Sequence, residues 1–200
     1  MKILHEPDQA SRGDDSFALA PARMHEAEGR GRRAFALFQA ARHPGPLFWV
    51  LSAHVPELPL PAGLPEGVAE RLHLLRPASE IDLLWSVEEA LRAGPVGLVI
   101  AEPQKPLSLT AGRRLQLAAE AGGTTGLMLI RDGAGCNAAE TRWHCEAMAG
   151  PPDSTLHRWS LSKNKKGTLG AWMLNWNGAT AAFDLVSEAG KRHEPAQPSL

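Results

Sequence analysis

Three stretches of this sequence carry side chains suited to a phosphate or metal site. The first, Glu28-Gly29-Arg30-Gly31-Arg32-Arg33-Ala34, sets two glycines and three arginines ahead of an apolar segment. A phosphate-cradling loop has the spacing Gly-x-x-x-x-Gly-Lys-Ser/Thr: backbone N–H groups around the anion, a lysine on it, a hydroxyl on Mg²⁺. The place in the chain is right, but that string occurs nowhere, and neither lysine nor hydroxyl follows these glycines. An arginine anion site, a partner contact and an exposed basic helix start all remain open, the last being the usual fate of a charge run. The second stretch, Ser52-Ala53-His54, offers no carboxylate to orient an attacking water. The third is Glu102, a lone acid after an apolar run, where a metal-supporting aspartate would sit. No catalytic residue, metal or cofactor is expected on these grounds.

Other reactive types fall into no working pattern. His144-Cys145 with distant Cys136 lacks zinc-ligand spacing and suits a partly buried strand. The pairs His5-Glu6, His25-Glu26 and His193-Glu194 never extend to His-Glu-x-x-His, and no Gly-x-Ser-x-Gly elbow occurs. Two basic groups stand out, Arg113-Arg114 and Lys163-Asn164-Lys165-Lys166. Either is able to hold phosphate or an acidic partner, with plain solvated surface as the alternative. Trp49, Trp143 and Trp172 are explained by core packing.

The elements that would position these residues alternate along the chain. A short helix is expected over Ala34–Arg42, then a buried strand over Leu47–Leu51, a proline-rich loop from Pro56 to Pro65, and a second strand over Arg71–Arg76. Ser79-x-x-Asp82 has the form of a capping box; Leu84, Val87 and Leu91 follow at helical spacing, and Gly94-Pro95 ends that helix. Val96–Ala101 reads as a strand, Ser108–Ala121 as a helix, and Gly126–Ile130 as another buried strand. Such alternation implies a parallel sheet with right-handed crossovers, whose ligands bind beyond the carboxyl ends of the strands. Past Thr141 the period becomes two, in Arg158–Lys163 and Trp172–Trp176, which predicts an antiparallel hairpin.

Composition bounds the rest. In 200 residues, 44% are hydrophobic, enough for one domain with a proper core. A net charge of −1 gives no global reason for tight nucleic-acid binding. No apolar run is long enough to span a bilayer, the N-terminus turns polar at once, and two cysteines without Cys-x-x-Cys spacing fit a reducing cytoplasm. Residues 1–23 and 187–200 are expected to be flexible tails around one domain, 24–186.

Several stretches resemble signatures of the ImuA family. They are Leu84-Trp85-Ser86-Val87-Glu88-Glu89-Ala90-Leu91-Arg92-Ala93-Gly94, the run Leu109-Thr110-Ala111-Gly112-Arg113-Arg114-Leu115-Gln116-Leu117-Ala118-Ala119-Glu120-Ala121, and Ala139-Glu140-Thr141-Arg142-Trp143. Met24-His25-Glu26 resembles the start of the conserved region, so the similarity runs from about His25 to Trp176. That family is similar in turn to RecA, which implies a RecA-like α/β fold. Leu98–Glu102 then resembles its Walker B strand, and Lys163-Asn164-Lys165 resembles the hairpin motif that reaches a neighbouring subunit's nucleotide. The Walker A lysine and hydroxyl are missing, Ser52-Ala53-His54 stands where the catalytic glutamate should be, and the DNA-binding loops are shortened. Gly29, Arg30, Gly31, Arg32, Arg33 and Glu102 are thus a vestigial nucleotide site. The resemblance implies a non-enzymatic adaptor in damage-induced mutagenesis and translesion synthesis. Its implied partners are a Y-family polymerase-like protein (ImuB), an error-prone C-family polymerase and RecA, with DNA touched weakly or indirectly. The rival readings are a nucleotide-responsive switch and a direct DNA binder using Arg113, Arg114 and Lys163 to Lys166.

Overall fold

The structure, a computed structural model, describes residues 16–150, 155–177 and 182–189. Among the described residues nine strands form one sheet in the order β3-β2-β4-β5-β1-β6-β7-β8-β9. They are β1 Met24–Glu28, β2 Leu47–Leu51, β3 Leu72–Leu75, β4 Leu98–Glu102, β5 Thr125–Leu129, β6 Thr141–Met148, β7 Thr155–Asn164, β8 Gly170–Asn177 and β9 Ala182–Ala189. The pairs from β3 through to β6 are all parallel, and those from β6 to β9 antiparallel. The expected hairpin is β7–β8, the middle of a longer antiparallel extension.

Among the described residues three α-helices cover the sheet: α1 Arg32–Arg42, α2 Glu80–Arg92 and α3 Leu109–Gly122. Ser79 caps α2 by accepting from the Asp82 N–H, and Ser108 caps α3 through the Ala111 N–H, as their sequences require. Gly123 ends α3 in the left-handed conformation. One face of the sheet packs Phe35, Ala36 and Ala40 of α1 against Trp49, Ile100, Leu127 and Trp143. The other packs α2 and α3, through Leu83, Val87, Leu91, Leu115 and Ala119, against Val50, Val99 and Met128. Helices on both faces of a parallel sheet make the α/β architecture expected.

Strand β1 is absent from the sequence reading, although it lies between β5 and β6 in mid-sheet. Its sequence, Met-His-Glu-Ala-Glu, has no apolar run. Glu26 and Glu28 share a strand face with Met24, and the β5–β6 connection meets them there with hydrogen-bond donors. Polar side chains are tolerated at the centre of the sheet because a loop satisfies them.

The N-terminal boundary also differs. A flexible arm is expected to Arg23, yet Phe17 is 2% exposed, with Phe38, Trp143, Trp159 and Trp172 around its ring at centroid distances of 5.3–5.9 Å. The reason is that the aromatic face of β6–β8 extends beyond the reach of α1 and needs a further apolar cover. The Phe17-Ala18-Leu19 patch supplies it, and the Gln39 side chain fixes it by donating to the Phe17 carbonyl. Residues 1–15 lie outside the described residues. At the other end β9 runs to Ala189, past the expected domain limit at 186, and the tail beyond it is outside the description.

Candidate functional site

The carboxyl ends of β1, β2, β4 and β5 lie along one edge, where open parallel α/β sheets hold their ligands. Only Gly29-Arg30-Gly31 separates β1 from α1. Gly29 has φ +88°, and a Cβ there would overlap the Cys145 carbonyl oxygen of β6. The Gly31 N–H donates to that same carbonyl at 2.8 Å, so the turn is stitched to the neighbouring strand. The Gly29 N–H donates to the Asp132 carboxylate at 2.7 Å. A carboxylate of the chain itself therefore takes an amide of the kind that a phosphate would seek.

Arg33 and Glu102, two of the sequence-derived residues, meet directly. Arg33 Nε donates to Glu102 Oε1 at 2.9 Å, and its terminal nitrogen donates to Oε2 at 2.9 Å. The Trp49 indole adds a bond to Oε1 at 2.8 Å. Glu102 is buried, and its oxygens are thus committed to a cation and an indole. Arg33 is held on its outer side by the Glu57 carbonyl, which belongs to the proline-rich loop. Arg32 turns back to the Gly29 carbonyl. Of the second stretch, Ser52 is buried and His54 exposed.

Arg30 lines a cavity of about 400 Å³ with Gly29, Asp132, His144, Glu146, Ala147 and Met148. His144 sits between two carboxylates, 3.2 Å from Glu146 and 3.5 Å from Glu28. Burial disfavours its charged form, but hydrogen bonds and charge from Glu146 and Glu28 outweigh this and raise its pKa. A triphosphate entering here would meet the carboxylates of Asp132 and Glu146 beside Arg30, with His144 already engaged by Glu146 and Glu28. Cys145, behind the turn, is buried, which pushes its thiol up and away from reactivity.

The Lys-Asn-Lys motif faces its own chain. Lys163 Nζ donates to the carbonyls of Cys136 and Asn137 at 3.2 and 3.0 Å, and Lys165 Nζ to that of Ala138 at 2.8 Å. Burial lowers the Lys163 pKa. Asn164 closes the turn by accepting from the Lys166 N–H and donating to the Thr168 carbonyl. Lys166 remains largely exposed, 3.9 Å from Glu140. Beneath this clamp lies an ion pair that sequence reasoning missed: Arg142 Nε donates to Glu26 Oε2 at 2.9 Å, and the Cys136 N–H donates to Oε1 at 2.7 Å. The His25-Glu26 and Thr141-Arg142 pairs in the sequence held the only signal, one exposed by the parallel β1–β6 register. Arg113 and Arg114 lie on the solvent side of α3, far along the chain from the hairpin turn. Arg114 pairs with Glu88 of α2.

Fold and site together define an α/β protein with a mainly parallel sheet, whose strand-end edge is occupied by its own side chains. No family model matches the chain. It is 34% identical to Protein ImuA of Caulobacter vibrioides, over 169 aligned residues covering 74% of this chain and 68% of that protein, with the same figures for two strains. The chain belongs to the ImuA family. Among the described residues no helix is long and apolar enough to cross a membrane, and no group of three or more His, Cys, Asp or Glu is placed to hold a metal.

Proposed function

We propose that this protein is a non-catalytic accessory protein of SOS-induced mutagenesis and translesion DNA synthesis, acting as an adaptor. In this reading the RecA-like fold serves as a docking body for a Y-family polymerase-like protein of the ImuB type, an error-prone C-family polymerase and RecA. The family relationship supports the process and the ImuB association. The observation that carries the non-catalytic part is the Arg33–Glu102–Trp49 cluster. An acid that already binds a guanidinium in two places and an indole has little capacity left for Mg²⁺, and hydrolysis of ATP depends on that ion. The three-residue turn before α1 supports the same conclusion, since a cradle needs several free amides.

The test combines two measurements on the purified full chain. Calorimetry with MgATP and a phosphate-release assay are expected to register neither binding nor turnover. Mixing with the purified Y-family-like protein is expected to give a complex on size-exclusion chromatography. Turnover abolished by Glu102→Ala would overturn the non-catalytic reading, and absence of a complex would overturn the adaptor role. Salt-sensitive binding of single-stranded DNA without any protein complex would favour the direct DNA binder instead.

A further inference from the structure

The β7–β9 part of the sheet turns an aromatic face towards α1, and one corner of that face is left open. The register sets Thr155, Trp176 and Phe183 opposite one another across β7, β8 and β9. His157 stands two positions beyond Thr155, on the same face of β7. With Ala34 and Leu37 of α1, these four side chains line a cavity of about 280 Å³. The Phe183 ring lies 4.7 Å from Trp176 and 5.4 Å from His157. One member of this lining does not suit a plain apolar gap. His157 is 6% exposed, yet its Nδ1 has no hydrogen-bond partner among the described residues. Burial lowers its pKa with no neighbouring charge contributing, so the ring is neutral at pH 7. A buried polar ring without a partner costs stability, and a phenyl ring there would cost none. The imidazole makes sense once a group from outside the chain reaches it.

The cavity limits what that group is. Among the described residues no Lys, Arg, Asp or Glu lines it, so a phosphate, carboxylate or ammonium would enter without a counter-charge. Its volume lies at the lower limit of small-molecule sites, about 300 Å³, and suits one large side chain better than a whole cofactor. A neutral imidazole offers one N–H and one acceptor nitrogen. Tryptophan and tyrosine combine a ring able to pack on Trp176 and Phe183 with a single polar tip that donates. We propose that this cavity is an anchor pocket for a tryptophan or tyrosine side chain of a protein partner. The incoming ring packs on Trp176 and Phe183, and its N–H or O–H donates to His157. Aromatic anchors seated in pockets of this kind carry much of the affinity of protein interfaces.

This inference rests on the adaptor reading, and its test separates the two. The isotope-labelled full chain is titrated by NMR with the N-acetyl amides of tryptophan, tyrosine and phenylalanine. Saturable shifts of the His157 and Trp176 ring signals are expected with the first two. The phenylalanine amide, which differs from the tyrosine amide by one hydroxyl, should bind roughly threefold or more weakly, the worth of one net hydrogen bond. His157→Phe should bind both amides alike. Ala34→Leu, which fills the cavity from α1, should abolish the shifts and weaken the complex with the purified Y-family-like protein roughly tenfold or more. Thermal melts of both variants no lower than the parent's are expected to separate lost contact from lost fold. No saturable shift with any amide, or equal binding of the tyrosine and phenylalanine amides by the parent chain, would overturn the pocket and leave the adaptor role standing. Full affinity of Ala34→Leu for the protein partner, with the amide shifts lost, would reassign the cavity to a free small molecule and overturn the proposal. No complex with the parent chain would overturn the adaptor reading and the partner anchor together.

Discussion

Arg33 grips both carboxylate oxygens of Glu102 at 2.9 Å, joining the first turn of α1 to the end of β4. The ion pair is a structural tie, and it predicts what each partner is worth. Arg33→Met leaves Glu102 buried with Trp49 alone. Removing one member of a buried pair costs about 3–5 kcal/mol; with Arg33 one-third exposed, about 2–3 kcal/mol is expected. The double variant Arg33→Met/Glu102→Gln should recover most of that loss in urea unfolding. Equal losses in the single and double variants would refute the pair's role.

Acid should loosen the N-terminal segment through His25. Its Nε2 donates to the Ala20 carbonyl at 3.0 Å, so Nδ1 accepts from the Thr141 hydroxyl at 2.7 Å, which fixes the neutral tautomer. Burial lowers its pKa from 6.5 to about 4, partly countered by the Ala20 bond. Because the folded value lies below the unfolded one, the stabilisation is complete above pH 6.5 and is lost as pH falls towards 4. Roughly 2–3 kcal/mol should disappear between pH 7 and pH 4.5. Burial depresses His43 and His157 in the same direction. His25→Gln should lose correspondingly less stability on acidification than the parent; an identical pH profile would count against the buried neutral ring.

Trp172 closes the aromatic face, 5.3 Å from the Phe17 ring and 5.6 Å from that of Trp143. Trp172→Ala should cost about 3–5 kcal/mol in chemical denaturation. A loss under about 1 kcal/mol would mean that the ring contributes little to the core. Phe17→Ala is expected to destabilise as well, which no free arm would do.

Gly29→Ala should be severely destabilising, by about 3 kcal/mol or more, since it combines a left-handed φ with backbone overlap at Cys145. Gly133→Ala, also at positive φ but with open space around it, should cost only about 1–2 kcal/mol. Thermal melts of the two side by side check the difference.

Much of the architecture was readable because it rests on local rules. The capped start of α2, the helical span of α3, the apolar runs of β2, β4 and β5, and the switch to period two at β7 and β8 each follow from neighbouring residues. Strand β1 was not readable. Its two glutamates and histidine become tolerable only when residues more than a hundred positions away supply Gly133 N–H, Cys136 N–H, Arg142 and Thr141.

The sequence by itself determined that the lysine and hydroxyl of a phosphate loop are missing and that Glu102 stands alone after its strand. Residue identity suffices for that. Only the tertiary structure decided what took their place: Arg33 on Glu102, Asp132 on the Gly29 amide, and Lys163 and Lys165 on the carbonyls of the β5–β6 connection. It decided too that Phe17 is core and Trp85 is surface. The physical reason is that charge pairing and burial are contests among groups brought together by sheet order. A pattern within one segment does not reveal which distant donor or apolar face will win.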